Sequence, residues 1–149
     1  MPLFEDELVA VLPQGHRLSE QAHVEARDLS QETYVSYSRI VEHGLEDDLL
    51  FRPGRIAPAR FIQADSVEAI LDHVEAGLGF SILSRWAAQG GSRPMVALRS
   101  ITEGGLRVAW SAVTQNPRQP AAEFVRHLAN EMARGGPEPT VSRGPAGPA

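Results

Sequence analysis

Apolar residues fall in short runs separated by turn-forming residues, a pattern that predicts strands alternating with helices. Leu8 to Leu12 (LVAVL) is a continuous apolar run closed by Pro13-Gln14-Gly15, which reads as a buried strand and a turn. With no polar position in the run, both faces are expected to be covered, as in a parallel sheet flanked by helices. Val24 to Leu29 is a connector in which Asp28 and Leu29 open a helical turn. Tyr34-Val35-Ser36-Tyr37-Ser38 alternates aromatic or β-branched residues with serines, a strand signature. Leu45, Leu49 and Leu50 then recur at helical spacing until Pro53-Gly54, which is expected to stop that helix.

The best-patterned segment follows. Arg60 to Ala64 (RFIQA) reads as a strand, and Asp65 or Ser66 caps a helix carrying Val67, Ile70, Leu71, Val74 and Leu78 at three- and four-residue steps. Asp65 and Glu68 have capping-box spacing, and Gly77 stands where a left-handed residue ends a helix. Phe80 to Leu83 (FSIL) is another short buried strand. Met95 to Leu98 and Leu106 to Val113 predict two more, joined across Thr102-Glu103-Gly104-Gly105. Pro120 opens a closing helix with Phe124, Val125, Leu128 and Met132 on one face. From Gly135 to Ala149, eight of fifteen residues are Gly or Pro, so residues 135–149 are expected to form a disordered tail. The whole predicts an α/β fold with a largely parallel sheet.

Composition narrows the function classes. The net charge of -5 has the wrong sign for a domain that grips phosphate backbone by itself, and Arg52, Arg55 and Arg60 read as a solvated basic cluster. The chain has no cysteine, which removes disulfides, thiolate nucleophiles and cysteine-held metals. Its start lacks a basic region followed by an apolar stretch, which predicts no signal peptide. No apolar run approaches the ~18–20 residues of a membrane span. A cytoplasmic location is the expectation.

No catalytic constellation emerges. The five histidines (16, 23, 43, 73 and 127) show no metal-ligand spacing, so neither a metal nor a cofactor is expected. Asp47 and Asp48 read as the polar face of a short helix, because sequence neighbours diverge there. Ser81 and Ser84 lack a nucleophile elbow, and Gly77-Leu78-Gly79 follows a helix where a dinucleotide fingerprint must follow a strand. Trp86 and Trp110 read as packing residues. What remains is a place for a small anion: a strand ending in Gln63-Ala64-Asp65-Ser66 turns straight into a helix whose N-terminal N–H groups point at the sheet edge. Ser66 either donates to a ligand carboxylate or only caps its own helix, and Asp65 opposes an anion there. Ser36, Tyr37 and Ser38 offer further hydroxyls, or form a wet loop.

At this point a resemblance stands out. Pro2-Leu3-Phe4-Glu5-Asp6-Glu7-Leu8-Val9-Ala10-Val11-Leu12-Pro13 followed by Gly15-His16-Arg17-Leu18 resembles the strand and P-x-G-H-P-L loop in the regulatory domain of LysR-type transcription regulators. Asp28-Leu29 leading to Glu32-Thr33-Tyr34-Val35-Ser36-Tyr37 looks like that family's crossover strand. Val74-Glu75-Ala76-Gly77-Leu78-Gly79-Phe80-Ser81-Ile82-Leu83-Ser84-Arg85-Trp86 is similar to its V-x-A-G-x-G-x-x-x-L-P stretch, with Ser84 where proline is usual. Tyr37 and the Arg85-Trp86 pair lean toward the homocysteine-responsive regulators of methionine biosynthesis. The resemblance covers roughly Leu3 to Met132.

It implies two Rossmann-like lobes of the type 2 periplasmic-binding-protein kind, the first incomplete: residues 1–38 and 94–134 would form that partial first lobe and 39–93 the second. It also implies effector sensing in an inter-lobe cleft rather than catalysis. Ser36 and Tyr37 at the crossover, Ser66 at the helix start, and Phe80 and Ser81 after the glycines would be the ligand-binding residues. The implied partners are a small-molecule effector (an amino acid or sulfur metabolite), further copies of the chain in a homo-oligomer, and DNA only through a domain absent here. No membrane partner is expected. Against this stand two other readings: a stand-alone solute-binding module, and a small α/β enzyme for which no acid, base or nucleophile set assembles.

Overall fold

The computed structural model describes residues 2–40, 44–90, 93–113 and 120–135. The expected tail lies, apart from Gly135, outside the described residues. Contacts divide the chain into one unit of Glu7–Val108 and another drawn from residues 1–6 and 109–149.

The apolar run is the heart of a longer strand, β1 (Pro2–Pro13). β2 (His23–Val24), β5 (Ser81–Ser84) and β6 (Val96–Ile101) share its sheet in the order β2-β6-β1-β5, and β7 (Leu106–Ser111) also pairs with β1. β1 runs antiparallel to both β5 and β6, with Ala10 opposite Ile82 and Arg99, while β2 and β6 are parallel. That corrects the expectation of parallel neighbours. Burial on both faces was rightly implied, because alternate side chains leave a strand on opposite sides. Leu8, Ala10 and Leu12 enter one core with Leu18, Phe80 and Ile82. Val9 and Val11 enter another with Val35, Ile70, Val74 and Leu83.

β3 (Thr33–Ser36) and β4 (Arg60–Gln63) form a separate parallel pair, Tyr34 beside Phe61 and Ser36 beside Gln63. β3 is stitched to the start of β5 by two hydrogen bonds: Phe80 N–H donates to the Thr33 carbonyl at 2.9 Å, and Val35 N–H to the Phe80 carbonyl at 2.8 Å. Gly79 permits this approach, since a Cβ there would lie 2.3 Å from the Thr33 carbonyl oxygen.

Short helices close the unit. α1 (Ala26–Leu29) is fastened by a capping box between Glu25 and Asp28. α3 (Val67–Glu75) buries Ile70, Leu71 and Val74. Its cap is Ser66, whose hydroxyl accepts from Ala69 N–H at 3.1 Å; the expected Asp65–Glu68 box is out of register by one residue. Its end is as expected: Gly77 takes φ 76°, with Gly77 N–H to the Val74 carbonyl and Leu78 N–H to the His73 carbonyl, a Schellman closure. Leu78, counted in the apolar stripe, is exposed.

The segment before β4 departs most from expectation. Asp47–Phe51 is a π-helical turn, with Arg52 N–H bonded to the Asp47 carbonyl. It continues as α2 (Arg52–Gly54) through the proline and glycine expected to stop it. The stop comes at Arg55, a non-glycine residue at φ 51°. In the other unit, α4 (Ala121–Gly135) follows Pro120 as expected, but Phe124 on its intended apolar face is exposed. There Trp110 stacks on Phe4 at 6.4 Å and donates to Asp6 at 3.2 Å. Among the described residues no helix is long and apolar enough to cross a membrane.

Candidate ligand-binding site

A cavity of 160 Å³ opens at the carboxyl end of β3, wholly inside the Glu7–Val108 unit. Its position follows from the strand ends. Tyr34 and Ser36 on β3, with Tyr37, Ser38 and Ile40 just after it, form one wall; Ser81, Ile82 and Leu83 of β5 form a second. Gly44, Glu46, Asp47 and Phe51 close it from the π-helical side, and Ile70 of α3 from the remaining one.

Hydrogen bonds fix the hydroxyl wall. Ser38 N–H donates to the Ser36 hydroxyl at 3.3 Å, and Ile40 N–H to the Ser38 hydroxyl at 3.4 Å, two successive serine turns that hold the chain beyond β3. Gln63 of β4 donates to the Tyr37 carbonyl at 3.2 Å. The Ser81 hydroxyl donates to the Val35 carbonyl at 2.8 Å, which ties the β5 wall to β3.

Tyr34 anchors the floor. Its ring stacks on Phe80 at 5.1 Å and meets Phe51 and Phe61 edge-on at 5.4 and 6.0 Å. Burial chiefly, and the Glu46 carboxylate next, raise its phenol well above the usual tyrosine range; a hydrogen bond with Ser36 opposes them. Tyr37 is raised as well, by partial burial and then by Glu68 and Glu46. Both phenols are therefore neutral donors at physiological pH. The Tyr34 shift also fixes the sign of an alkaline effect. The folded chain holds a proton that an unfolded tyrosine loses above about pH 10, so stability is whole below that pH and declines as pH rises toward the higher folded value. Tyr34→Phe is expected to flatten that decline in denaturant titrations on either side of pH 10.

The LysR substrate binding domain family matches residues 1–133 of the chain. The chain belongs to that family. Solved LysR structures share its fold. The regulatory domain of MetR from N. meningitidis is 22% identical with a TM-score of 0.75, over 90% of this chain and 63% of that one. HinK from Pseudomonas aeruginosa is 26% identical with a TM-score of 0.62, over 89% of this chain and 47% of that one. The regulatory domain of CcmR from Synechocystis, solved in complex with 2-PG, is 22% identical with a TM-score of 0.64, over 88% and 65%. This chain thus spans less than two thirds of the length of these solved LysR relatives. No curated protein matches it.

Of the five residues expected to bind an effector in a LysR domain, three stand together: Ser36, Tyr37 and Ser81 line the cavity. The other two do not. Phe80 is 1% exposed and packs beneath Tyr34, so it shapes the floor from behind. Ser66 spends its hydroxyl on Ala69 and is absent from the wall, where α3 contributes Ile70 instead. The cavity therefore lies at the end of β3, and Ser66 at the start of α3 is not among its lining residues. Ser66→Ala should cost about 1 kcal/mol of stability, the usual value of a lost cap, and leave ligand affinity unchanged; calorimetric titration beside thermal unfolding checks both.

Sequence reasoning missed the acidic wall. Asp47 and Asp48 both pair with Arg52, at 2.7 and 2.6 Å, yet the Asp47 side chain is 12% exposed and that of Asp48 57%. Divergence of sequence neighbours on a helix, used to dismiss the pair, is what sends one of them to the cavity. Among the described residues no group of acidic and histidine side chains is placed to hold a metal.

Proposed function

We propose that this chain is the effector-sensing part of a LysR-type transcription regulator and holds a small metabolite in the cavity at the end of β3. The observation that carries this reading is a cavity lined by Ser36, Tyr37, Ser38 and Ser81, with the segment after β3 held by two serine turns, in a chain of the LysR substrate binding domain family. The cavity is smaller than the roughly 300–1,000 Å³ of drug-sized sites, which favours a compact metabolite. DNA reading would belong to another part of the full regulator, and homo-oligomers would be its working state. Residues 1–38 with 94–134 would form a partial first lobe and residues 39–93 the second. The resemblance carried by Tyr37 and the Arg85-Trp86 pair makes homocysteine and related amino acids the first effectors to try.

Effector binding acts by differential affinity, shifting the population of lobe arrangements only as far as the ligand prefers one of them. The test is a thermal-shift and calorimetric screen of the 149-residue chain against amino acids and sulfur metabolites. One of them is expected to raise the melting temperature without being consumed. Ser36→Ala and Tyr37→Ala should each weaken it roughly tenfold, the value of a lost hydrogen bond. Product formation, or a ligand indifferent to both substitutions, would overturn the proposal.

A further inference from the structure

We infer that the ligand of this cavity presents a cationic group, an ammonium or amidinium, to Glu46 rather than an anion to the hydroxyls. The inference rests on the sensing reading above and names the class of molecule it accepts. It starts from the charges on the wall. Among the described residues, the lining includes two carboxylates, Glu46 and Asp47, and no lysine, arginine or histidine.

The two acids are not equivalent. Asp47 has its counter-ion in Arg52, an exposed guanidinium that is not on the wall. Glu46 is half-buried, and no ion pair to it is found among the described residues. Arg39 neighbours the wall in sequence but is exposed and does not line it. Glu46 lines the cavity and opposes the ionisation of both Tyr34 and Tyr37. A third carboxylate, Glu68, bears on Tyr37 from the α3 side.

An anion entering here would face these carboxylates with only neutral hydroxyls to hold it. A cation would gain a charge-assisted bond to Glu46 and lie beside the rings of Tyr34, Tyr37 and Phe51, whose faces attract positive charge. The polar wall of Ser36, Tyr37 and Ser38 borders the rest of the molecule, which accommodates a zwitterion as well as a simple amine. What the wall selects against is a ligand whose only charge is negative.

Three probes of nearly equal size separate these cases: n-butylammonium, 1-butanol and butyrate, titrated into the 149-residue chain with binding read from the amide NMR shifts of Ser36, Tyr37 and Ser81. Butylammonium is expected to bind roughly tenfold or more tighter than butyrate at low salt, the gap narrowing as added salt screens the charge. Glu46→Gln should reduce that preference several-fold, whereas Asp48→Asn, on the exposed side of Arg52, should keep it. Butyrate binding as tightly as butylammonium, or a preference indifferent to Glu46→Gln, would overturn the inference and leave the sensing reading standing. Failure of butylammonium to shift any of the three amides would overturn the inference too, and only a metabolite screen that also found no ligand would sink both.

Discussion

Gly79→Ala is expected to destabilise the protein by about 3 kcal/mol, the range of a forced overpacking in a filled interior. The added methyl would sit 2.3 Å from the Thr33 carbonyl oxygen and 3.1 Å from its carbon. Those are backbone atoms, and no rotamer change moves them aside. The same carbonyl accepts the hydrogen bond from Phe80 N–H that joins β3 to β5, so relief of the clash must open that joint. Thr33→Gly therefore should not rescue the variant. Gly77→Ala gives the contrast: no atom lies within 4 Å of its Cβ position, and the cost there is only the left-handed backbone, about 1 kcal/mol. Urea titrations of both variants give the ranking, and near-equal losses would show that the β3–β5 approach is looser than described. Because the cavity has one wall on each of these strands, Gly79→Ala should weaken ligand binding more than Gly77→Ala does.

Phe80→Ala is expected to cost about 3–5 kcal/mol, enough to unfold much of the population of a marginally stable domain. The ring is among the largest fully buried side chains and stacks on Tyr34. Removing it leaves a void that the surrounding β-sheet cannot close by side-chain motion alone. Phe80→Leu keeps most of the volume and should cost less than about 1.5 kcal/mol. At a temperature where the leucine variant is folded, its ligand affinity should stay close to that of the parent chain, since residue 80 supports the cavity floor without reaching the ligand. A large affinity loss in a well-folded Phe80→Leu would return residue 80 to the binding surface.

How much of this was legible in the sequence depends on the range of the interaction. Local patterns read well. The LVAVL run, the stripe of α3, the Gly77 terminus and the hydroxyls at the end of β3 depend on residues a few positions apart. At the α3 cap the sequence left Asp65 and Ser66 open as equally able side chains, and backbone geometry chooses Ser66. The apolar run from Leu8 to Leu12 gave only the centre of β1; Asp6 before it is buried and bonded to Trp110, and Glu7 pairs with Arg85 at 2.8 Å. Those partners lie far along the chain.

Strand direction was illegible for the same reason. A fully apolar strand reports that both its faces are covered but not which neighbours cover its edges, so antiparallel β5 and β6 were read as parallel. In the candidate site the hydroxyl wall was visible and the acidic wall was not. Its placement depends on a π-helical turn that carries Asp47 and Phe51 to the cavity, and the wider turn accommodates a proline that ordinary helix rules treat as a terminator.

The alternation along β1 has a consequence for how this chain can change in length. Even-numbered positions from Leu8 to Leu12 feed one interior and odd-numbered ones the other, so deleting a single residue there would send every later side chain to the opposite compartment, valines where leucines were fitted and the reverse. Only gains or losses in pairs preserve the sorting, and even these shift the pairing with Ile82 and Arg99. The segment is thus far more tolerant of a swapped aliphatic than of any indel, and a deletion scan across it should show survival that depends on parity.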